Sequence, residues 1–373
     1  MRDNGEGLQS PVVVKTSHTG SGGFEGVRWA WQQLDVDARY YFQGLAWMDS
    51  IATLVDENAV WDVVMESDQP AAVSVLRRLR PGRAGLRLRV LSDVRVGDMG
   101  YPFTDSLLGS NAAAPSVEID DLLRAAGPWD VVNIRSRRAG SPWVVLAASK
   151  GWAKEEPDGG VGILDTRSRA GEWWPSLPKN MRDSVRKARG RIAASGSSEV
   201  VVSTGAELPA AYERFVALEA SGWKGAEGTA LSNRPAWRDV LGHYLRTEDT
   251  AQIRSLVVGG RPVASQICVS VGSTLVLMKV TYDEQLGRLS PGNVLMANLV
   301  EACCENPEID RIDCTVWQDW HQRWGMVREP TYRILAFNQH SVRGRAAEAA
   351  WNVRRRLIRK SAPAQPVGVS EGQ

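Results

Sequence analysis

The sequence predicts an α+β fold built on mixed sheets, and three observations carry that reading. Strand-like and helix-like runs alternate along nearly the whole chain. Three consecutive strands at 253–258, 263–271 and 274–280 are separated by Gly259-Gly260 and Gly272-Ser273, dipeptides suited to hairpin turns. The last of them leads into a helix at 291–304 and a further strand at 311–315, the order of a parallel crossover. With 373 residues the chain has room for about two domains.

The elements follow in order. Residues 1–23, rich in Gly, Ser and Thr around Val12-Val13-Val14, read as a flexible N-terminus. Helical spacing covers 24–34 and 43–55, and strand spacing 60–66, 71–79 and 86–91. A short helix is expected at 117–126, and strands at 131–134, 144–147 and 161–164. A second block begins near Gly171. It carries a long helix over 172–194, interrupted near Pro175 and Pro178, a strand at 200–203, and helices at 207–220 and 235–245. A strand at 331–337 and a basic helix over 342–360 close the chain, and 361–373 reads as a tail. The expected divisions are 24–170, 171–340 and 341–373.

Composition bounds the function. Hydrophobic residues at 43% and charged residues at 24% fit a globular protein. The 45 Lys+Arg nearly cancel the 43 Asp+Glu, so the net charge of +2 gives no general reason to bind nucleic acid. Fifteen Trp suggest large cores or grooves for extended ligands. Four Cys without a CxxC, and four scattered His, predict reduced thiols, a cytoplasmic setting and no metal site. The first 30 residues lack an apolar stretch, and no run reaches the ~18 apolar residues that a membrane helix needs, so neither a signal peptide nor membrane insertion is expected. No Walker A, GxGxxG or GxSxG motif is present, which disfavours the ATPases, dinucleotide dehydrogenases and serine hydrolases built on them.

Four places could carry chemistry. The strand 274–280, with Leu277, Met278, Lys279 and Val280, feeds a helix opened by Ser290, Pro291, Gly292 and Asn293. A helix start after a strand offers backbone N–H groups to an anion, and Lys279 and Arg288 add positive charge. A well-capped helix is the plainer reading of the same residues. The segment from Glu219 through Gly222, Trp223, Lys224 and Gly225 places a carboxylate before a Gly-rich lip, or is simply a helix stop and a surface loop. Asp313 ends a strand and precedes Trp317, Trp320, His321 and Trp324; His321 could serve as a general base, or lie in a Trp-stapled turn. Two basic stretches, 179–191 and 343–360, could meet phosphates, though such runs are more often solvated faces.

Taken together and in order, the LPKNMRDSVRKARGRI helix, the LE…GWKG…GTAL segment, the strand ending in TYDE, the LSPGNVL helix start and the RIDCTV…WHQRWG tail resemble the BioF2-like, or CelD-like, acetyltransferase domain of the GNAT superfamily, a relative of the Fem-type aminoacyl transferases. The resemblance covers about 172–338 and extends more weakly to Trp31 and Phe42 to Trp47. It implies tandem GNAT-like lobes, each a mixed antiparallel and parallel sheet flanked by helices, with the donor site in the second. Acyl-CoA would lie along Leu277, Met278, Lys279 and Val280, with its pyrophosphate near Arg288, Ser290, Gly292 and Asn293. Gly287 stands where the superfamily signature carries Gln or Arg, and Trp320-His321 where relatives often show Tyr-Lys. Glu219, Asp313 and His321 are the candidates for moving the proton, and Trp223, Lys224, Tyr282 and Trp320 for shaping the acceptor pocket. The implied reaction is acyl transfer from acyl-CoA to an amine or hydroxyl of a small-molecule or glycan acceptor. Aminoacyl-tRNA is the alternative donor, with tRNA then a partner, and a non-catalytic binding protein is the third reading.

Overall fold

The computed structural model describes residues 15–20, 22–55, 57–66, 68–82, 87–94, 104–109, 121, 123, 124, 126–150, 153–167 and 170–361. Its strands are β1 (Lys15–Thr19), β2 (Ala59–Glu66), β3 (Gln69–Leu79), β4 (Val90–Ser92), β5 (Leu107–Leu108), β6 (Val131–Arg137), β7 (Ala153–Asp165), β8 (Ser198–Thr204), β9 (Gln252–Val258), β10 (Arg261–Val271), β11 (Thr274–Tyr282), β12 (Arg311–Cys314) and β13 (Val327–Phe337). The helices are α1 (Gly23–Leu34), α2 (Leu45–Ile51), α3 (Pro142–Lys150), α4 (Ala170–Ser176), α5 (Lys179–Ala194), α6 (Leu208–Ala220), α7 (Trp223–Ala226), α8 (Pro235–Thr247), α9 (Pro291–Glu305) and α10 (Val342–Ser361). No helix among the described residues is long and apolar enough to cross a membrane.

All strands join one mixed sheet in the order β1-β2-β3-β4-β6-β13-β7-β12-β11-β10-β9-β8, with β5 on β3. The order is symmetric about the β13/β7 pair. On each side four strands run antiparallel in sequence, and one parallel pairing follows, β4 with β6 on one side and β11 with β12 on the other. These are two α+β lobes in tandem. Each lobe is completed by a strand from the other half of the chain: β13 lies against β6, and β7 lies against β12. Strand pairing and helix packing both cross position 170/171.

The cores explain most of the tryptophans. Trp31, Trp47 and Trp61 are fully buried with Phe24 and Tyr244 in a cluster that joins α1 and α2 to α6 and α8. The indole N–H groups of Trp31 and Trp61 donate to the carbonyls of Gln43 (2.7 Å) and Gly20 (2.9 Å), so burial leaves these polar edges satisfied. A second cluster packs α4, α5 and α9 against β11 and β12 through Met181, Val185, Leu277, Leu299 and Ile312.

Several expectations need correction. The run 144–147 is a helix, α3, not a strand: Pro142 sits at its start, and the Val144 and Val145 amides donate to the Ser141 carbonyl. The stretch 43–55 divides into α2 between two 3-10 turns, Tyr41–Gln43 and Ala52–Leu54. The interruption expected near Pro175 and Pro178 over 172–194 falls at Pro178, between α4 and α5, whereas Pro175 lies inside α4. Within the expected N-terminal tail, β1 pairs antiparallel with β2, while 1–14 lie outside the described residues. The expected strand 86–91 is confined to β4, where the chain meets β3. The helix expected at 117–126 falls largely outside the described residues, as do 362–373.

Candidate active site

The site begins where two parallel strands part. β11 and β12 pair only over 274–276 with 311–313; β11 then continues to Tyr282, whereas β12 ends at Cys314. On its other edge β11 carries a bulge: Ile267 faces Lys279 and Cys268 faces Leu277, so Met278 is the extra residue. A bulge turns a strand away from its neighbour and re-aims its backbone. The gap holds a cavity of about 500 Å³. Leu277, Met278, Lys279, Val280 and Tyr282 line it from β11, Glu219, Trp223 and Lys224 from the end of α6 and from α7, and Trp320 and His321 from a 3-10 turn over Asp319–Trp324.

A charge cluster forms one wall. Glu219, 1% exposed, receives Lys279 (3.1 Å) and Lys224 (3.2 Å) on Oε1 and the Leu231 N–H (2.8 Å) on Oε2. Burial alone pushes its pKa up. The Lys279 ammonium, the Leu231 amide and Lys224 outweigh that and hold it below the ordinary range, so Glu219 is a carboxylate. Desolvation draws Lys279 below the usual lysine value, and Glu219 offsets only part of this. Lys224 also donates to the Val280 carbonyl (3.1 Å), tying α7 to the open edge of β11.

His321 forms the opposite wall. It is 2% exposed, with Trp320 and Trp317 in edge contact at centroid distances of 4.0 and 5.5 Å. Burial lowers its pKa to about 4, so the imidazole is neutral near pH 7. Its Nδ1 accepts from the Gln318 N–H (3.0 Å), which assigns the remaining proton to Nε2. In this tautomer Nε2 donates and does not abstract.

The start of α9 borders a second cavity of about 340 Å³, which shares Val280, Thr281, Tyr282 and Trp320 with the first. No side chain caps α9. Ser290 adopts the left-handed conformation (φ 51°), and the Asn293 and Val294 amides turn back to its carbonyl. Gly292 is left facing the cavity, where an added β-carbon would first meet the Tyr282 ring at 3.4 Å. Gln266, 3% exposed, also lines this cavity, and its Oε1 has no partner among the described residues. An uncapped helix start and an orphan acceptor fit a carrier bearing both phosphates and amides.

The structure brings most of the expected site residues together, with two exceptions. Asp313 lines a different cavity, where Arg138 engages both its oxygens at 2.8 and 3.4 Å. Arg288 is exposed and borders neither the central cavity nor the one at α9. Lys279 lies at the central cavity with Glu219 and not at the start of α9. Two lining residues carry no role in the sequence reading: Gln266, a polar position inside an apolar strand, and Arg323, which lines the α9 cavity together with Gly287 and Gly292. The spacing WHQRWG placed Arg323 within reach, but nothing local aimed it there.

A family model described as an acetyltransferase (GNAT) domain matches residues 179–324. Among solved structures the fold is similar to that of FemX, at 10% identity and a TM-score of 0.58, covering 84% of this chain and 96% of that one. It is also similar to a conserved protein of unknown function from Bacteroides thetaiotaomicron, at 11% identity and a TM-score of 0.53, with coverages of 84% and 97%. A third similar structure is L-PGS from Bacillus licheniformis, at 11% identity and a TM-score of 0.50, with coverages of 86% and 97%. No curated protein matches the chain in sequence. Residues 179–324 therefore match the acetyltransferase (GNAT) domain, and over most of its length the chain shares its fold with FemX.

Proposed function

We propose that the protein transfers an acyl group from acyl-CoA to an amine or hydroxyl of a small-molecule or glycan acceptor. The uncapped start of α9, open to a cavity that shares Val280, Thr281, Tyr282 and Trp320 with the β11/β12 gap, carries this reading. The carrier's phosphates meet Gly292 and Arg323, with Arg323 supplying the cation that Gly287 cannot. Gln266 Oε1 accepts from an amide of the arm.

The acceptor nitrogen or oxygen attacks the thioester carbon, the C–S bond breaks, and the thiol leaves with the proton the acceptor gives up. Negative charge gathers on the carbonyl oxygen during attack. The Lys224 and Lys279 ammonium groups and the Nε2–H of His321 favour that charge. Glu219 positions the two ammonium groups; with both oxygens engaged, it is not free to take a proton. Calorimetric titration with acetyl-CoA and longer acyl-CoAs tests the reading. Saturable binding of at least one is expected, and binding of none of them overturns it.

Aminoacyl-tRNA is a second reading, favoured by the exposed cations Lys179, Arg186, Lys187 and Arg191 on α5. Affinity for charged tRNA that falls steeply with salt would support it. Turnover of acyl-CoA with indifference to tRNA would remove it.

A further inference from the structure

A third cavity, of about 530 Å³, opens on the far side of the β12 end. Thr315 and Val316 line both it and the central cavity, so the two meet along one short segment. The first lobe contributes its other wall through Arg39, Tyr40 and Phe42.

Its chemistry is cationic. Five arginines line it: Arg39, Arg135, Arg138, Arg311 and Arg328. Asp313 is the one carboxylate in the lining, and it is taken by Arg138. Glu329 reaches Arg138 (3.3 Å) and Arg311 (3.1 Å) from alongside. Arg39 and Arg328 have no acidic partner among the described residues. Such guanidinium groups make forked hydrogen bonds to carboxylates and phosphates. Aromatic surface stands beside them: Tyr40 stacks on Phe42 at 5.2 Å, and the Arg138 guanidinium lies 5.3 Å from the Tyr40 ring centre.

The backbone is shaped for this arrangement. A β-carbon on Gly160 would stand 2.7 Å from Arg328 Nε and 2.9 Å from the Glu329 carbonyl oxygen, so only glycine lets Arg328 lie across β7. Ser136, in the lining, has φ 54°. Only it and Ser290 hold positive φ among the described non-glycine residues. Non-glycine residues held in this conformation cluster at functional sites, and here one borders each of two cavities.

We propose that this cavity is the acceptor site, and that the acceptor carries an oxyanion, carboxylate or phosphate, beside a planar or apolar portion. The proposal rests on the acyl-transfer reading. Arg39 and Arg328 grip the oxyanion, Tyr40 and Trp317 flank the apolar portion, and the nucleophile extends past Thr315 and Val316 to the gap.

The test uses three probes of the full chain by calorimetry: phenyl phosphate, benzoate and neutral phenol. At least one anion is expected to bind saturably and more tightly than phenol; the two anions distinguish phosphate from carboxylate. Arg39→Ala and Arg328→Ala each weaken that binding about tenfold or more, the scale of a lost charged hydrogen bond, and leave acetyl-CoA affinity unchanged. Gly160→Ala, with the fold checked by circular dichroism, matches Arg328→Ala. Absence of saturable anion binding, equal binding of phenol, or unchanged affinity in both arginine variants overturns the proposal while leaving acyl-CoA binding standing. Anion binding without binding of any acyl-CoA overturns the acceptor role together with the transfer reading.

Discussion

Gly162 of β7 lies against the imidazole of His321: a β-carbon there would stand 2.6 Å from Nδ1 and 3.0 Å from Cγ. The ring cannot retreat easily, because Trp320 and Trp317 close on it. Gly162→Ala should push the ring off the Gln318 amide and misplace Nε2–H. We expect a stability loss of about 1–3 kcal/mol, the usual penalty of overpacking, and a transfer rate at least about tenfold lower, equal to about 1.4 kcal/mol of barrier. A variant with the parent's rate and melting temperature would show that the ring's position is immaterial.

Burial of His321 makes stability depend on pH. Its folded pKa of about 4 lies below the ~6.5 of a free histidine, so between those values the unfolded chain binds a proton that the folded chain refuses. The contribution is fully present above pH 6.5 and is lost as pH falls, by at most about 3 kcal/mol near pH 4. Urea unfolding at pH 7 and pH 4.5 should show a smaller change for His321→Asn than for the parent. Equal changes would assign the dependence to other groups.

Glu219, itself buried, holds two partly exposed ammonium groups. Glu219→Gln should cost about 3 kcal/mol, because breaking a buried pair leaves charge uncompensated. It should also lower transfer, since Lys279 is then freer to shed its proton. Adding Lys279→Met should recover much of the stability but not the activity. Activity restored by the double variant would remove Lys279 from catalysis.

Gly292 keeps the start of α9 open. Gly292→Val should leave the melting temperature within a few degrees of the parent and weaken acetyl-CoA binding about tenfold or more by calorimetry, equal to about 1.4 kcal/mol. Unchanged affinity would place the phosphates elsewhere.

Much of the second lobe was legible because its signals are local. The hairpin glycines and the Ser290-Pro291 start fixed β9 to β11 and α9. The same Ser-Pro signal at Ser141-Pro142 was outweighed by the β-branched pair Val144-Val145, and α3 was missed. Long-range pairing was not legible. The role of Asp313 depends on Arg138, 175 residues away, and that of Glu219 on Lys279 as much as on nearby Lys224. No periodicity reports such partners.

The reciprocal exchange of β7 and β13 constrains how this protein could have been assembled or taken apart. Severed near residue 170, the downstream piece would lose the ladder that seals Arg311 to Cys314, along with the glycine floor beneath its histidine, and would show neighbouring molecules a raw sheet margin. The upstream piece would suffer the same along Val131 to Arg137. Neither piece is a portable cassette, so the two lobes have to fold as one.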